Sequence, residues 1–289
     1  MAVLLSLSIS FLHKLKLYLQ LTKPRLSIVV VFSALIGGLV AGASEVMDIL
    51  WLGLGGYMLT GSANAANQVW ERHTDALMQR TKGRPLPAGL LSVKEATGFS
   101  LILLITSVFC LAQLGWDVVL LGLLAWSLYL FAYTPLKRWG PIAVVIGAIP
   151  GAIPPVIGYW AMQREITPIL IALFVLQFAW QFPHFWVIAW LARTDYERAA
   201  FQMLPFPPHR IQENARAITL SIIALPVLSV LLLPLLPWKA WVWAFCLGTA
   251  LAGVALYQVN LHSNRMMRSL LLSLTAYLTF LYLGIWMLL

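Results

Sequence analysis

The chain of 289 residues is built largely from uninterrupted apolar runs about twenty residues long. That length fits an α-helix crossing a ~30 Å hydrocarbon layer. Membrane-crossing strands alternate apolar and polar residues over about ten positions, and these runs do not alternate. Helices remain, because lipid offers backbone polar groups no partner outside the segment. Composition agrees: 61% of residues are apolar and 10% charged, whereas a soluble domain carries about a quarter charged residues. So few charges cannot cover a water-facing surface. A soluble nucleic-acid binder, a disordered chain and a secreted disulfide scaffold are thereby excluded.

Hydropathy predicts nine spans, at 25–43, 47–67, 96–114, 117–133, 141–162, 167–191, 217–236, 239–258 and 269–288. The expected fold class is all-α, a polytopic membrane helix bundle of nine transmembrane helices. It forms a single domain over 1–289, with 1–20 as an N-terminal interfacial segment. Lys14 and Lys16 follow the first apolar run instead of preceding it, so the N-terminus does not read as a secretory signal. Cys110 and Cys246 lie inside apolar runs with no CxxC spacing; they read as small core residues.

Charge sets the orientation. With the N-terminus cytoplasmic, all of the 19 Lys and Arg residues except Arg164 and Lys239 fall on inner segments. This is the positive-inside pattern, and it accounts for the net charge of +9 without nucleic acid. The expected location is a bacterial cell (inner) membrane, multi-pass. Two inner connections, 68–95 and 192–216, are long and mix charge with Pro, Trp and Met. Long connections in compact proteins are commonly functional. Both follow an even-numbered span, which hints at a duplicated helical unit.

The first connection holds Asn67, Glu71 and Asp75, spaced i, i+4, i+8. On a helix these share one face. An amide and two carboxylates pointing one way make a hard-oxygen site suited to Mg²⁺, which completes its shell with water and substrate phosphate. Arg80, Lys82 and Arg84 follow at once, supplying donors for phosphate oxygens. The same residues also fit a solvated loop that obeys the charge rule, and the residues alone leave both readings open.

The stretch Asn67, Arg72, Asp75, Met78, Arg80-Thr81 and Arg84-Pro85-Leu86 resembles the first aspartate-rich motif of the UbiA superfamily of intramembrane prenyltransferases, in particular its protohaem IX farnesyltransferase branch. Glu71 stands where that family usually has Asp. Further stretches resemble the same branch: Leu21-Thr22-Lys23-Pro24-Arg25, the Gly/Pro-rich segment from Gly147 to Tyr159, Tyr133–Arg138, and Trp180-Gln181-Phe182-Pro183-His184-Phe185 followed by Arg193-Thr194-Asp195-Tyr196. The superfamily's second motif has two acids four apart; here Asp195 matches and Glu197 is two residues away. Three prolines and three glycines within 147–158 break a hydrogen-bond ladder and open space between helices.

The resemblance implies farnesyl diphosphate and haem B as substrates, and Mg²⁺ as cofactor. Asn67, Glu71, Asp75 and Asp195 would be metal ligands. Arg72, Arg80, Lys82, Arg84, Lys137 and Arg138 would bind diphosphate, and His184 would contact substrate. The lipid bilayer is the setting, the active site would face the cytoplasm, and a haem A synthase is a plausible neighbour. The alternatives are a sister enzyme acting on a quinone precursor such as 4-hydroxybenzoate, and a membrane transporter.

Overall fold

The computed structural model describes residues 2–232, 235–259 and 263–289. Over those residues every regular element is a helix: α1 (Ala2–Leu21), α2 (Pro24–Val40), α3 (Val46–Leu77), α4 (Val93–Ala112), α5 (Trp116–Ser127), a π-helical stretch Leu128–Tyr133 leading into α6 (Thr134–Leu136), α7 (Ile142–Gln163), α8 (Pro168–Leu191), α9 (Arg193–Arg198), α10 (Ile211–Leu231), α11 (Trp238–Val259) and α12 (Asn264–Leu288). The protein is an all-α membrane helix bundle.

Among the described residues seven helices are long and apolar enough to cross a membrane, or eight if Leu12–Leu21 and Pro24–Val40, bent by 52°, form one span. The expected count of nine is not reached because α2, at 17 residues, is counted only within that bent pair and α3 fails the test. Its first half is the apolar run expected at 47–67; its second half carries Asn64, Asn67, Gln68, Glu71, Arg72 and Asp75. Hydropathy ends a span where charge begins, but the backbone ladder continues to Leu77. The connection expected at 68–95 therefore shrinks to 78–92. The segment expected to lie at the interface over 1–20 is helix α1, through Leu21.

Two sequence features hold the middle of the bundle. First, α2 and α7 meet backbone to backbone. A Cβ on Gly37 would strike the Pro155 carbonyl, and one on Gly158 would strike the Ala34 carbonyl, so this is a crossing that only small residues permit. Second, α7 contains Pro150, Pro154 and Pro155. Pro155 has no N–H for the carbonyl of Gly151 four residues earlier. Gln177 and Gln181 of α8 donate to that oxygen instead, at 3.1 and 3.0 Å. Gln177 accepts in turn from the Tyr282 hydroxyl of α12 at 2.6 Å. The expected break in the ladder is thus present, and its freed carbonyl ties three helices together.

The polar connections collect at one end. Lys23 at the α1–α2 corner bonds Asn67 and Lys137 bonds Glu71, both on α3, while Gln79 and Arg80 bond Asp195 and Gln202 bonds the Lys137 carbonyl. Arg164 sits at the opposite end, its guanidinium donating to the Leu114 carbonyl and lying 3.9 Å from Asp117.

Candidate active site

The second half of α3 presents Asn67, Glu71 and Asp75 on one buried face, as their spacing predicts. Each is gripped by a group from another segment. Asn67 donates to the Thr134 hydroxyl at 3.1 Å, and its Oδ1 lies 3.5 Å from Lys23 Nζ. Glu71 accepts from Lys137 Nζ at 2.8 Å. Asp75 Oδ2 accepts from Arg84 at 2.7 Å, while Asp75 Oδ1 is buried with no partner.

Local folding explains these partners. π-helical turns gather at functional sites, and the one at Leu128–Tyr133 lets the Thr134 hydroxyl bond the Tyr129 carbonyl at 2.9 Å while it accepts from Asn67. Lys137 follows within a turn, its ammonium 4.8 Å from the Tyr133 ring centroid and 5.7 Å from that of Phe201. Burial works against its charge, but bonded Glu71, with Tyr129 and Tyr196 adding to it, more than offsets that, so its pKa stands above the ordinary lysine value. After α3 ends, the Thr81 hydroxyl caps the Asp75 carbonyl at 2.8 Å. The chain then folds back to deliver Arg84.

Asp195, in the first turn of α9, reaches the same place. Its two oxygens accept the backbone N–H groups of Gln79 and Arg80 at 2.9 and 3.1 Å. Arg198 lies 3.3 Å away. Burial opposes the charge, but the two N–H groups and the nearby guanidinium groups hold the carboxyl below its usual pKa. The two acidic motifs, far apart in sequence, therefore share one end of the bundle.

The other expected residues fall into two groups. Arg80, Lys82 and Arg84 line a cavity of about 460 Å³ together with Gln20, Gln68 and Gln79. Arg72 turns away, donating to the Val69 carbonyl of its own helix at 3.0 Å, because it lies about 100° around α3 from Glu71. Arg138 is exposed beside Lys137. His184 is not brought to the acids. It stacks on Trp180 at 4.3 Å with Nδ1 buried and unpartnered. Phe185 and Tyr133 stand between it and Lys137.

Three contributors escaped the reading of the residues. Lys23 takes a left-handed backbone conformation, φ 48°, ahead of Pro24. Burial brings its ammonium down to about 7, with Arg84 and Lys137 adding to the effect against Glu71 and Asp75. Its signal was there: it is the basic residue of the Thr-Lys-Pro-Arg stretch. Thr134 lies in the Tyr133–Arg138 stretch, but nothing in that stretch ties it to Asn67. Asn214, fully buried, bonds Phe206, Pro207 and Arg210 and fastens the 199–210 connection.

Among the described residues no three His, Cys, Asp or Glu side chains form a ready metal cluster. A cation here would rest on one or two carboxylates, an amide, water and ligand oxygens, which is the Mg²⁺ pattern. The orphaned Asp75 Oδ1 fits such an ion, since a buried carboxylate oxygen left unpaired is costly.

The UbiA prenyltransferase family model matches residues 30–270. The protoheme IX farnesyltransferase of Cytophaga hutchinsonii is 41% identical over 214 residues, covering 73% of this chain and 75% of that one. The protoheme IX farnesyltransferase of Koribacter versatilis is 37% identical over 284 residues, covering 92% and 90%. Among solved structures, a UbiA homologue from Archaeoglobus fulgidus bound to GPP and Mg²⁺ shares the fold with TM-score 0.68 at 17% identity, covering 93% of this chain and 99% of that one. The chain belongs to the UbiA prenyltransferase family.

Proposed function

We propose that this protein farnesylates protohaem IX, converting haem B to haem O at a Mg²⁺-dependent site on the cytoplasmic side of a bacterial inner membrane. One observation carries the reading. Asp75 keeps one buried oxygen unpaired on a helix face that it shares with Glu71 and Asn67, with Lys23, Lys137, Arg84, Arg80 and Lys82 at hand. The named relatives supply the acceptor. In this topology α2, α3 and the seven apolar helices make nine spans with the N-terminus cytoplasmic.

The substrate's chemistry matches the site's two-sided character. A farnesyl chain has about fifteen carbons at ~0.8 kcal/mol each, so roughly 10 kcal/mol favours its burial in an apolar interior. Its diphosphate demands a charged mouth. Asn67 and Asp75, with Glu71, would hold Mg²⁺, which when bound polarises the diphosphate oxygens; Asp195, expected as a further ligand, has both oxygens on the Gln79 and Arg80 N–H groups and would clasp the 78–84 turn beside the ion. Arg84 and Lys137, with Arg80 and Lys82, neutralise charge on the departing diphosphate. Arg72 and Arg138 add positive potential around the mouth. Tyr133, Phe185, His184 and Trp180 run inward from Lys137 as neighbouring rings, and we assign them, His184 included, to the isoprenoid tail.

As the C–O bond to diphosphate breaks, the allylic carbon forms a C–C bond with the terminal vinyl carbon of haem B. The cation left beside the porphyrin takes a water oxygen and gives up a proton, leaving a hydroxyethylfarnesyl group. The protein's part is positioning and charge, so no side chain need be a covalent nucleophile. The product would pass to a haem A synthase. Transport gains no support, since the acids gather at one end of the bundle instead of midway. The test is to supply haem B, farnesyl diphosphate and Mg²⁺ to the protein in nanodiscs. The expected product has the mass of haem B plus one farnesyl and one hydroxyl group, with equimolar diphosphate. Prenylation of 4-hydroxybenzoate in place of haem would overturn the reading.

A further inference from the structure

A second cavity, of about 440 Å³, lies between the end of α8, α9 and the 199–208 segment, closed on one side by Pro141. We propose that it seats the porphyrin of the haem acceptor at the membrane surface, with Arg193 on a propionate. The proposal rests on the farnesylation reading above and adds where the acceptor sits.

Four observations converge. The cavity shares a wall with the charged cage. Phe201 and Tyr196 line it and pack edge to face at 5.7 Å, and Lys137, bonded to Glu71, lies 5.7 Å from the Phe201 ring. A macrocycle on the cavity side of Phe201 thus neighbours the place where diphosphate leaves.

The cavity is also built firmly. Asn214 holds the Phe206–Pro207 segment through three hydrogen bonds and the Arg210 carbonyl through a fourth. Gln202 N–H donates to the Lys137 carbonyl at 2.8 Å. Ala200 turns the chain with φ 55°, a conformation costly for a residue with a Cβ and usually retained where surrounding structure demands it.

The lining suits a planar apolar ring: Phe201, Met203, Leu204 and Phe206 supply aromatic, thioether and aliphatic surface. Its volume falls within the ~300–1,000 Å³ of small-molecule sites.

The charge fits as well. Arg193 lines the cavity and is fixed by bonds to the Trp190 carbonyl and Asn264 Oδ1 at 3.1 and 3.2 Å, both through Nη1. A guanidinium has five N–H donors, so it can still bind a carboxylate. Glu197 also lies on the lining, exposed, and would face water, away from the propionate.

The experiment titrates haem B and its dimethyl ester, by absorbance, into the wild type, two cavity variants and His184→Ala in nanodiscs. It measures Mg²⁺–farnesyl diphosphate binding alongside. Arg193→Gln is expected to weaken haem B about tenfold, the worth of one charge-assisted contact, and to leave the ester unchanged. Gln202→Trp, which fills the cavity from an exposed position and keeps its backbone N–H, is expected to weaken both ligands at least tenfold. Farnesyl diphosphate binding should be unchanged in both cavity variants. Haem affinity unchanged in both variants, or lost only in His184→Ala, would overturn the proposal, as would parallel loss of farnesyl diphosphate binding. A wild type that binds haem in this way yet forms no haem O would fail the farnesylation reading alone.

Discussion

Replacing Asp195 with Asn tests how the two acidic motifs are joined. The carboxylate uses one oxygen for the N–H of Gln79 and the other for that of Arg80, at 2.9 and 3.1 Å. An amide has one acceptor oxygen, so the substituted side chain would keep one of these bonds and set its NH₂ against the second N–H. A hydrogen bond to a charged group is worth about 1.5–3 kcal/mol. The lower part of that range applies because Gln79 and Arg80 are exposed, leaving about 1.5–2 kcal/mol of lost docking for the 78–84 turn. That corresponds to roughly a 10- to 30-fold rise in amide exchange through local opening. Hydrogen exchange followed at peptides spanning residues 76–86, in metal-free protein, reads it directly. Thr81, whose amide donates within its own segment to the Met78 carbonyl at 3.1 Å, should respond less. Exchange at Gln79 and Arg80 equal to wild type would refute the clasp, since an oxygen that serves only as a metal ligand does not protect an amide.

Other outcomes follow from the packing and the charges. Gly158→Ala drives a Cβ into the Ala34 carbonyl, where both partners are backbone; the cost is about 3 kcal/mol, read as a lowered melting temperature in detergent. Gly253→Ala, with open space around the new Cβ, should leave melting unchanged or raised. Gln177→Leu leaves the Tyr282 hydroxyl only its longer bond to the Leu173 carbonyl, 3.4 Å, and removes one donor from the Gly151 carbonyl, costing about 1–2 kcal/mol on the same assay. In the unliganded protein Lys23 stands at about 7, against ~10.4 unfolded. Between those values the unfolded chain binds the extra proton, so stability rises with pH across that window and levels off below 7. Melting at pH 7 and pH 9 checks this, and Lys23→Met should flatten the difference.

The class of fold and one acidic face were legible because each rests on a local rule. Apolar runs near twenty residues call for helices, and acids at i, i+4, i+8 share a side whatever surrounds them. The long α3 was harder, because hydropathy registers lipid and not hydrogen bonding, so Glu71 and Asp75 read as connection while the helix carried them inward. Their partners were not legible. Lys137 reaches Glu71, and Thr134 reaches Asn67, only through the π-helical turn and the packing of separate helices. Arg72 matched the family stretch, yet its angle on α3 sends it to Val69. The prolines of α7 announced freed carbonyls, but not that Gln177 and Gln181 would claim one of them.

The central claim is that Asp75 serves a divalent ion that holds diphosphate. Calorimetric titration of farnesyl diphosphate into the wild type and Asp75→Asn, with Mg²⁺ and with EDTA, measures it without haem or turnover. The wild type should bind on the order of 100-fold more tightly with Mg²⁺ than without, and the variant should show almost none of that gain. An equal Mg²⁺ dependence in the two proteins would contradict the account.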